Sequence, residues 1–120
     1  MLSAIAAQHV SSPRNAGKIN DATHVGVGGV PGDGPYVRLW LTIQDATVKK
    51  VGYECNGCPS SIAASSMVAQ LATGRSLQQI SLLEPSDLLL ILGGLPEGKE
   101  HYAELAVLAL KNITPLEQPS

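Results

Sequence analysis

Tyr36-Val37-Arg38-Leu39-Trp40-Leu41-Thr42-Ile43-Gln44, followed after one turn by Val48-Lys49-Lys50-Val51-Gly52-Tyr53-Glu54-Cys55, decides the fold class of this chain. In the first stretch Val37, Leu39, Leu41 and Ile43 alternate with Tyr36, Arg38, Trp40 and Thr42, the period of two expected of a half-buried strand. Gln44-Asp45-Ala46 turns the chain. The second stretch puts Val51, Tyr53 and Cys55 on one face of another strand. Upstream, Val25 and Val27 alternate with glycines between Thr23 and Val30, which reads as a weaker strand whose backbone is closely approached by a neighbour. Three consecutive strands with short connections imply an antiparallel meander.

Downstream of Asn56-Gly57 the periodicity changes. Pro59 suits a first helical position, and Ser60 to Ala72 are small or aliphatic until Gly74, with Ala64, Met67, Val68 and Leu71 as the expected packing face. A helical turn is expected over Leu77–Ile80. A helix is expected from Pro85-Ser86-Asp87 through Leu88–Leu92, closed by Gly93-Gly94. A last helix is expected from about Glu100 to Asn112, with Leu105, Ala106, Ala109 and Ile113 on one side. Leu2, Ile5, Ala6 and His9 mark a short opening helix, broken by the stretch from Ser11 to Gly17. The expectation is an α+β fold: a three-stranded antiparallel sheet with helices packed on one face. At 120 residues it is one domain spanning 1–120, with Thr114 to Ser120 a loose tail.

Composition narrows the function. Hydrophobic residues make up 44% and charged residues 15%, too apolar for disorder, yet there is no Phe, so Leu, Ile, Val and Ala must fill the core. A net charge of −2 argues against a nucleic-acid-binding surface. The apolar run Leu88–Leu92 is too short to span a membrane, and Met1–His9 has no basic residue before its apolar ones, against a secretory signal. With two cysteines only three apart, the expectation is a reducing cytoplasm. Gly26-Val27-Gly28-Gly29 is not followed by Lys-Ser/Thr, and the serines lack a nucleophile-elbow context, so neither nucleotide binding nor serine hydrolysis is supported.

The chemistry-bearing residues are few. Cys58 immediately precedes a helix, where backbone N–H groups and the helix dipole favour thiolate. Cys55-Asn56-Gly57-Cys58 is a C-x-x-C that could be half a zinc site or a thiol redox pair, but Cys55 shares its strand face with Val51 and Tyr53 and reads more naturally as packing. His101 opens the last helix. Asp33, between Gly32 and Gly34, reads first as a turn residue.

In order and spacing, Pro13-Arg14-Asn15-Ala16-Gly17, the run from Asn56 to Ser66, Gly74-Arg75-Ser76-Leu77, and Leu95-Pro96 through Lys99-Glu100-His101 resemble the NifU/IscU-type iron–sulfur cluster assembly scaffold family. The resemblance runs to about Ile113 and implies the same sheet-and-helix fold. It also implies a non-enzymatic scaffold for an iron–sulfur cluster or zinc, partnered by a cysteine desulfurase and a chaperone. Family members hold the metal with three cysteines, aided by an Asp and a His. The second cysteine matches Cys58 and the histidine matches His101. The Gly-Ala-Pro-x-Cys-Gly-Asp pattern meets Gly29-Val30-Pro31-Gly32-Asp33-Gly34-Pro35, so Asp33 stands at the first cysteine and Pro35 at the Asp. Tyr102 stands at the third cysteine. Fe–S clusters want soft thiolates, and Cys58, His101 and Asp33, joined by Cys55 if it turns outward, would make a passable zinc set but a poor cluster cradle. The chaperone-binding Leu-Pro-x-x-Lys piece is Leu95-Pro96-Glu97-Gly98-Lys99. The expectation is a scaffold that binds cluster or metal weakly through Cys58 and His101. The alternatives are a divergent adaptor that has lost the metal and a C-x-x-C thiol redox or sulfur-accepting protein.

Overall fold

The computed structural model describes residues 2–11, 16–56 and 58–116; Pro13-Arg14-Asn15 of the family-like stretch, Gly57 and the tail beyond Leu116 lie outside them. Helix α1 (Ala4–Ser11) leads to strands β1 (His24–Gly29), β2 (Tyr36–Gln44) and β3 (Thr47–Asn56). Helices α2 (Pro59–Ala72), α3 (Leu77–Ser81), α4 (Pro85–Leu92) and α5 (His101–Lys111) follow, then a two-residue strand β4 (Thr114–Pro115). The sheet order is β3-β2-β1-β4 with every pairing antiparallel. The expected three strands are therefore four. Thr114 and Pro115, assigned by sequence to a loose tail, pair with Val25 and His24. A two-residue strand has no periodicity to read.

The meander forms because the β2–β3 turn is tight. Asp45 and Ala46 take φ values of 52° and 58°, the doubly left-handed geometry that matches the twist of a hairpin. Asp tolerates it; Ala46 does so at a cost, and its carbonyl is held by the Leu77 amide at 2.9 Å. Val37, Leu39 and Leu41 are wholly buried on the helix-facing side, as the alternation requires. Burial of each leucine contributes about 1.5–3 kcal/mol.

Trp40 and Thr42 have the opposite parity and are also buried, against expectation. The segment before β1 covers them. Thr42 donates to the Asp21 carbonyl at 3.2 Å, the Thr23 hydroxyl accepts from the Ile43 amide, and Gly17 lies over Gly52. Nothing in Gly17–Asp21 has strand or helix periodicity, so only the folded chain reveals this cover.

On the inner face α2 is buried on nearly all sides, not only along Ala64, Met67 and Val68; Ser60, Ser61, Ser65 and Ser66 are buried too, while Leu71 is half-exposed. Small side chains let α1, β3 and α5 close on it together. Helix α1 docks through His9, whose Nδ1 lies 2.7 Å from Ser66 Oγ. Helix α3 starts with a capping box, Ser76 and Gln79 each bonding the other's backbone amide. Gly93, at φ 78°, ends α4. Helix α5 lies directly on β1, burying Tyr102, Ala103, Ala106, Val107, Ala109 and Leu110, while Leu105 and Ile113 sit at the edge of this face.

Candidate functional site

The topology brings three chain segments to one end of the sheet. The β1–β2 turn carries Asp33, whose amide donates to the Val30 carbonyl at 3.0 Å. The end of β3 reaches this turn through Asn56 Nδ2, which donates to Gly34 O at 3.3 Å. The first turn of α5 arrives beside it: Pro35 and the exposed His101 line one open cavity of about 330 Å³ with Glu104 and Leu105.

Cys58 sits at the N-cap of α2 in an extended conformation (φ −99°, ψ −177°), with Pro59 opening the helix as sequence predicts. It makes no full side-chain cap bond, but its sulfur lies close to the first free backbone amides. Partial burial opposes ionisation of the thiol. The N–H groups of Ser60 and Ser61, the Tyr102 hydroxyl and the Ser60 hydroxyl outweigh that opposition and hold its pKa below the usual thiol range. Tyr102 is buried, and its own pKa is raised by that burial and by the thiol it donates to. The His101 and Tyr102 rings are tilted neighbours, 4.1 Å between centroids.

Thus the residue at the third-cysteine position is a neighbour of Cys58 whose hydroxyl helps hold the Cys58 pKa down. Sequence reasoning treated Tyr102 only as a missing thiolate; its phenol serves as a thiolate donor, a role visible only once α5 is seated against α2.

Cys55 pairs with Val37 in the β2–β3 register, is half-buried, and packs against the core together with Cys58. Both cysteines are free. Among the described residues, no group of three or more His, Cys, Asp or Glu side chains is placed to hold a metal ion. Cys58, His101, Asp33 and Cys55 therefore share one end of the fold without forming a closed ligand set. No described helix is long and apolar enough to cross a membrane.

The two thiols should differ in reactivity. Cys58 alkylates faster than Cys55, and its pH–rate midpoint falls below the roughly 8.5 of an ordinary thiol. Tyr102→Phe removes one donor that favours the thiolate and moves the midpoint up. Mass-resolved labelling across pH checks both statements; equal rates, or an unmoved midpoint in Tyr102→Phe, contradict this placement.

Residues 3–114 match the model of the NifU-like N terminal domain. The iron–sulfur cluster assembly scaffold protein IscU 1 of Archaeoglobus fulgidus is 34% identical over 103 residues, covering 86% of this chain and 67% of that protein. The bifunctional protein NifU/MnmA of Rubrobacter xylanophilus is 41% identical over 105 residues, covering 86% of this chain but 22% of that longer protein. A crystal structure of the N-terminal part of a nitrogen-fixing NifU-like protein from Brucella abortus, 18% identical, superposes with a TM-score of 0.60 over 90% of this chain and 75% of that one, which establishes the shared fold. With a family model matching nearly its whole length, the chain belongs to the NifU-like N terminal domain family.

Proposed function

We propose that this chain is a non-enzymatic, scaffold-type participant in iron–sulfur cluster assembly whose working group is the Cys58 thiolate, with His101 beside it, and which holds a cluster or metal only weakly by itself. The observation that carries this reading is the environment of Cys58: helix amides and the Tyr102 hydroxyl favour its thiolate at the end of the sheet where the Asp33 turn and His101 converge. A thiolate in that position is a soft ligand for iron or zinc. Asp33 would add a hard carboxylate oxygen, and Cys55 a second sulfur only by leaving its place against Val37. The donor set therefore suits transient or shared binding better than a resident [2Fe–2S] cluster. By family resemblance the partners are a cysteine desulfurase and a chaperone engaging the Leu95–Lys99 segment. Free thiols fit a reducing compartment such as the cytoplasm.

A second reading, an adaptor that kept the fold and lost the metal, draws support from the lack of any three-ligand group among the described residues. Anaerobic reconstitution with iron and sulfide, read by metal content and visible absorption, separates them. The scaffold reading expects substoichiometric metal that disappears in Cys58→Ser and falls in His101→Ala. The adaptor reading expects no specific metal in any of the three proteins. Two stable irons per chain surviving in Cys58→Ser would overturn the role given to Cys58.

A further inference from the structure

Away from Cys58, the outer side of β3 is a sheet edge, and two stretches of it are already occupied. Near the hairpin, Thr47 bridges Ser76 antiparallel, the Val48 amide donates to Arg75 O at 2.9 Å, and Gly74 donates back to Val48 O at 2.8 Å. Near the other end, Ala16 bridges Tyr53 in parallel and Gly17 donates to Tyr53 O at 2.8 Å. Between them runs Lys49-Lys50-Val51, a gap of roughly 10 Å at about 3.3 Å per residue. The register skips here: Thr42 pairs with Lys50 and Ile43 with Val48, so Lys49 is the extra residue of a bulge.

This gap opens into a cavity of about 240 Å³ lined by Lys18, Ile19, Lys49, Lys50, Val51 and Thr73. Three of the chain's five lysines meet there, although the chain as a whole is acidic. Lys50 is engaged, its ammonium donating to Asp21 at 3.0 Å. Lys18 and Lys49 enter no ion pair among the described residues.

We infer that this notch is a docking site for a short acidic segment of a partner protein, laid in extended form along the Lys49–Val51 edge with its carboxylates on Lys18 and Lys49. Three features select this occupant. The edge accepts a single backbone bridge on either side of the gap, one parallel and one antiparallel, so its outward amide and carbonyl groups can be used for strand addition. The uncompensated charge beside it is positive, which favours carboxylates and speeds their encounter. A nucleic acid fits less well: two free lysines on a chain of net charge −2, with no aromatic ring lining the notch, offer neither the charge density nor the stacking it requires.

The probe is a labelled, acetylated five-residue peptide alternating Glu and Val, titrated into the full chain at low salt. Binding should weaken with added salt and shift the backbone amide signals of residues 49–52. Lys18→Glu/Lys49→Glu should weaken it at least tenfold. Lys99→Glu/Lys111→Glu, with the same net charge but altered elsewhere, should change it less than twofold. Circular dichroism of both double variants confirms that each is folded. Equal binding of a peptide alternating Gln and Val, equal loss in both double variants, shifts confined to other residues, or no binding at millimolar peptide would each overturn the inference. Tighter binding of a single-stranded oligonucleotide of equal charge at the same amides would do so too, in favour of a polyanion site.

Discussion

Asp33→Cys combined with Tyr102→Cys turns this chain into a cluster binder. Reconstituted anaerobically with iron and sulfide, the double variant takes up metal towards the roughly two irons of a [2Fe–2S] centre, where the native chain takes up a fraction of that. The geometry supplies the reason. The Tyr102 hydroxyl is near enough to the Cys58 sulfur for each to shift the other's pKa, so a cysteine there places a second thiolate near the first. Asp33 sits on a turn tied to the end of β3 through Gly34 and Asn56, and flanked by Gly32 and Gly34 at φ 86° and 93°. The substitution at 33 changes the ligand atom and leaves the turn's glycines in place. With His101 the set becomes three sulfurs and an imidazole, softer than the native combination of one such sulfur, an imidazole and a carboxylate.

The substitution at 102 has a structural cost, because Tyr102 is buried. Emptying an aromatic's space typically costs about 3–5 kcal/mol for a change to alanine, and cysteine recovers part of that. The double variant therefore unfolds at a lower temperature without metal and regains stability when loaded, since a ligand held only by the folded state shifts the equilibrium towards it. Asp33→Cys alone controls for this cost, gaining a thiolate without the cavity. A double variant that is folded by circular dichroism and still binds nothing would show that this end of the molecule no longer accommodates a cluster, and the adaptor reading would take precedence.

What the sequence shows of this fold depends on how far each element is from its neighbours in the chain. The β2–β3 hairpin and the Cys58–Pro59 helix start are local, governed by period-two alternation, a turn and a proline, and they lie where those signals put them. The burial of Trp40 and Thr42 is not local. It comes from residues 17–23 crossing the sheet by single hydrogen bonds. Helix α2 hid its all-round burial for a related reason: serine and alanine carry little hydrophobic signal, yet their smallness is what lets three elements reach the helix.

The site divides along the same line. Cys58 at a helix start was legible because one short segment specifies it. Its partnership with Tyr102 joins residues 44 positions apart and depends on how α5 seats on β1 and α2. The lysine notch likewise joins Lys18 to Lys49 and Lys50 across the cover of the sheet, with no motif to announce it.

That seating rests on two glycines, which makes Gly28→Val the most damaging single change expected in the fold. A Cβ on Gly28 would stand 2.1 Å from the Leu105 carbonyl oxygen and 3.1 Å from the Ala109 amide nitrogen. One on Gly26 would stand 2.0 Å from the Ala109 oxygen. These obstacles are helix backbone, which cannot rotate away as a side chain does, so α5 must lift from β1 by about an ångström or the strand must bend. Overpacking of cores costs typically 1–3 kcal/mol where side chains can adjust. Against backbone we expect Gly28→Ala to lose about 3 kcal/mol or more, and Gly28→Val to take away most of the roughly 5–15 kcal/mol by which a domain is stable. Urea unfolding measures the first, and soluble yield with circular dichroism the second. Helix α5 also carries Tyr102, so any folded Gly28→Ala protein should show the Cys58 alkylation midpoint displaced upward, as in Tyr102→Phe. Gly34→Ala is the contrast: its φ of 93° strains a side chain, but nothing stands within 4 Å. It should cost only about 1–3 kcal/mol of backbone strain and leave the Cys58 midpoint where it was. A Gly28→Ala protein as stable as the native one, with an unshifted midpoint, would mean that α5 does not rest on these glycines and that the Tyr102–Cys58 contact is secured by something else.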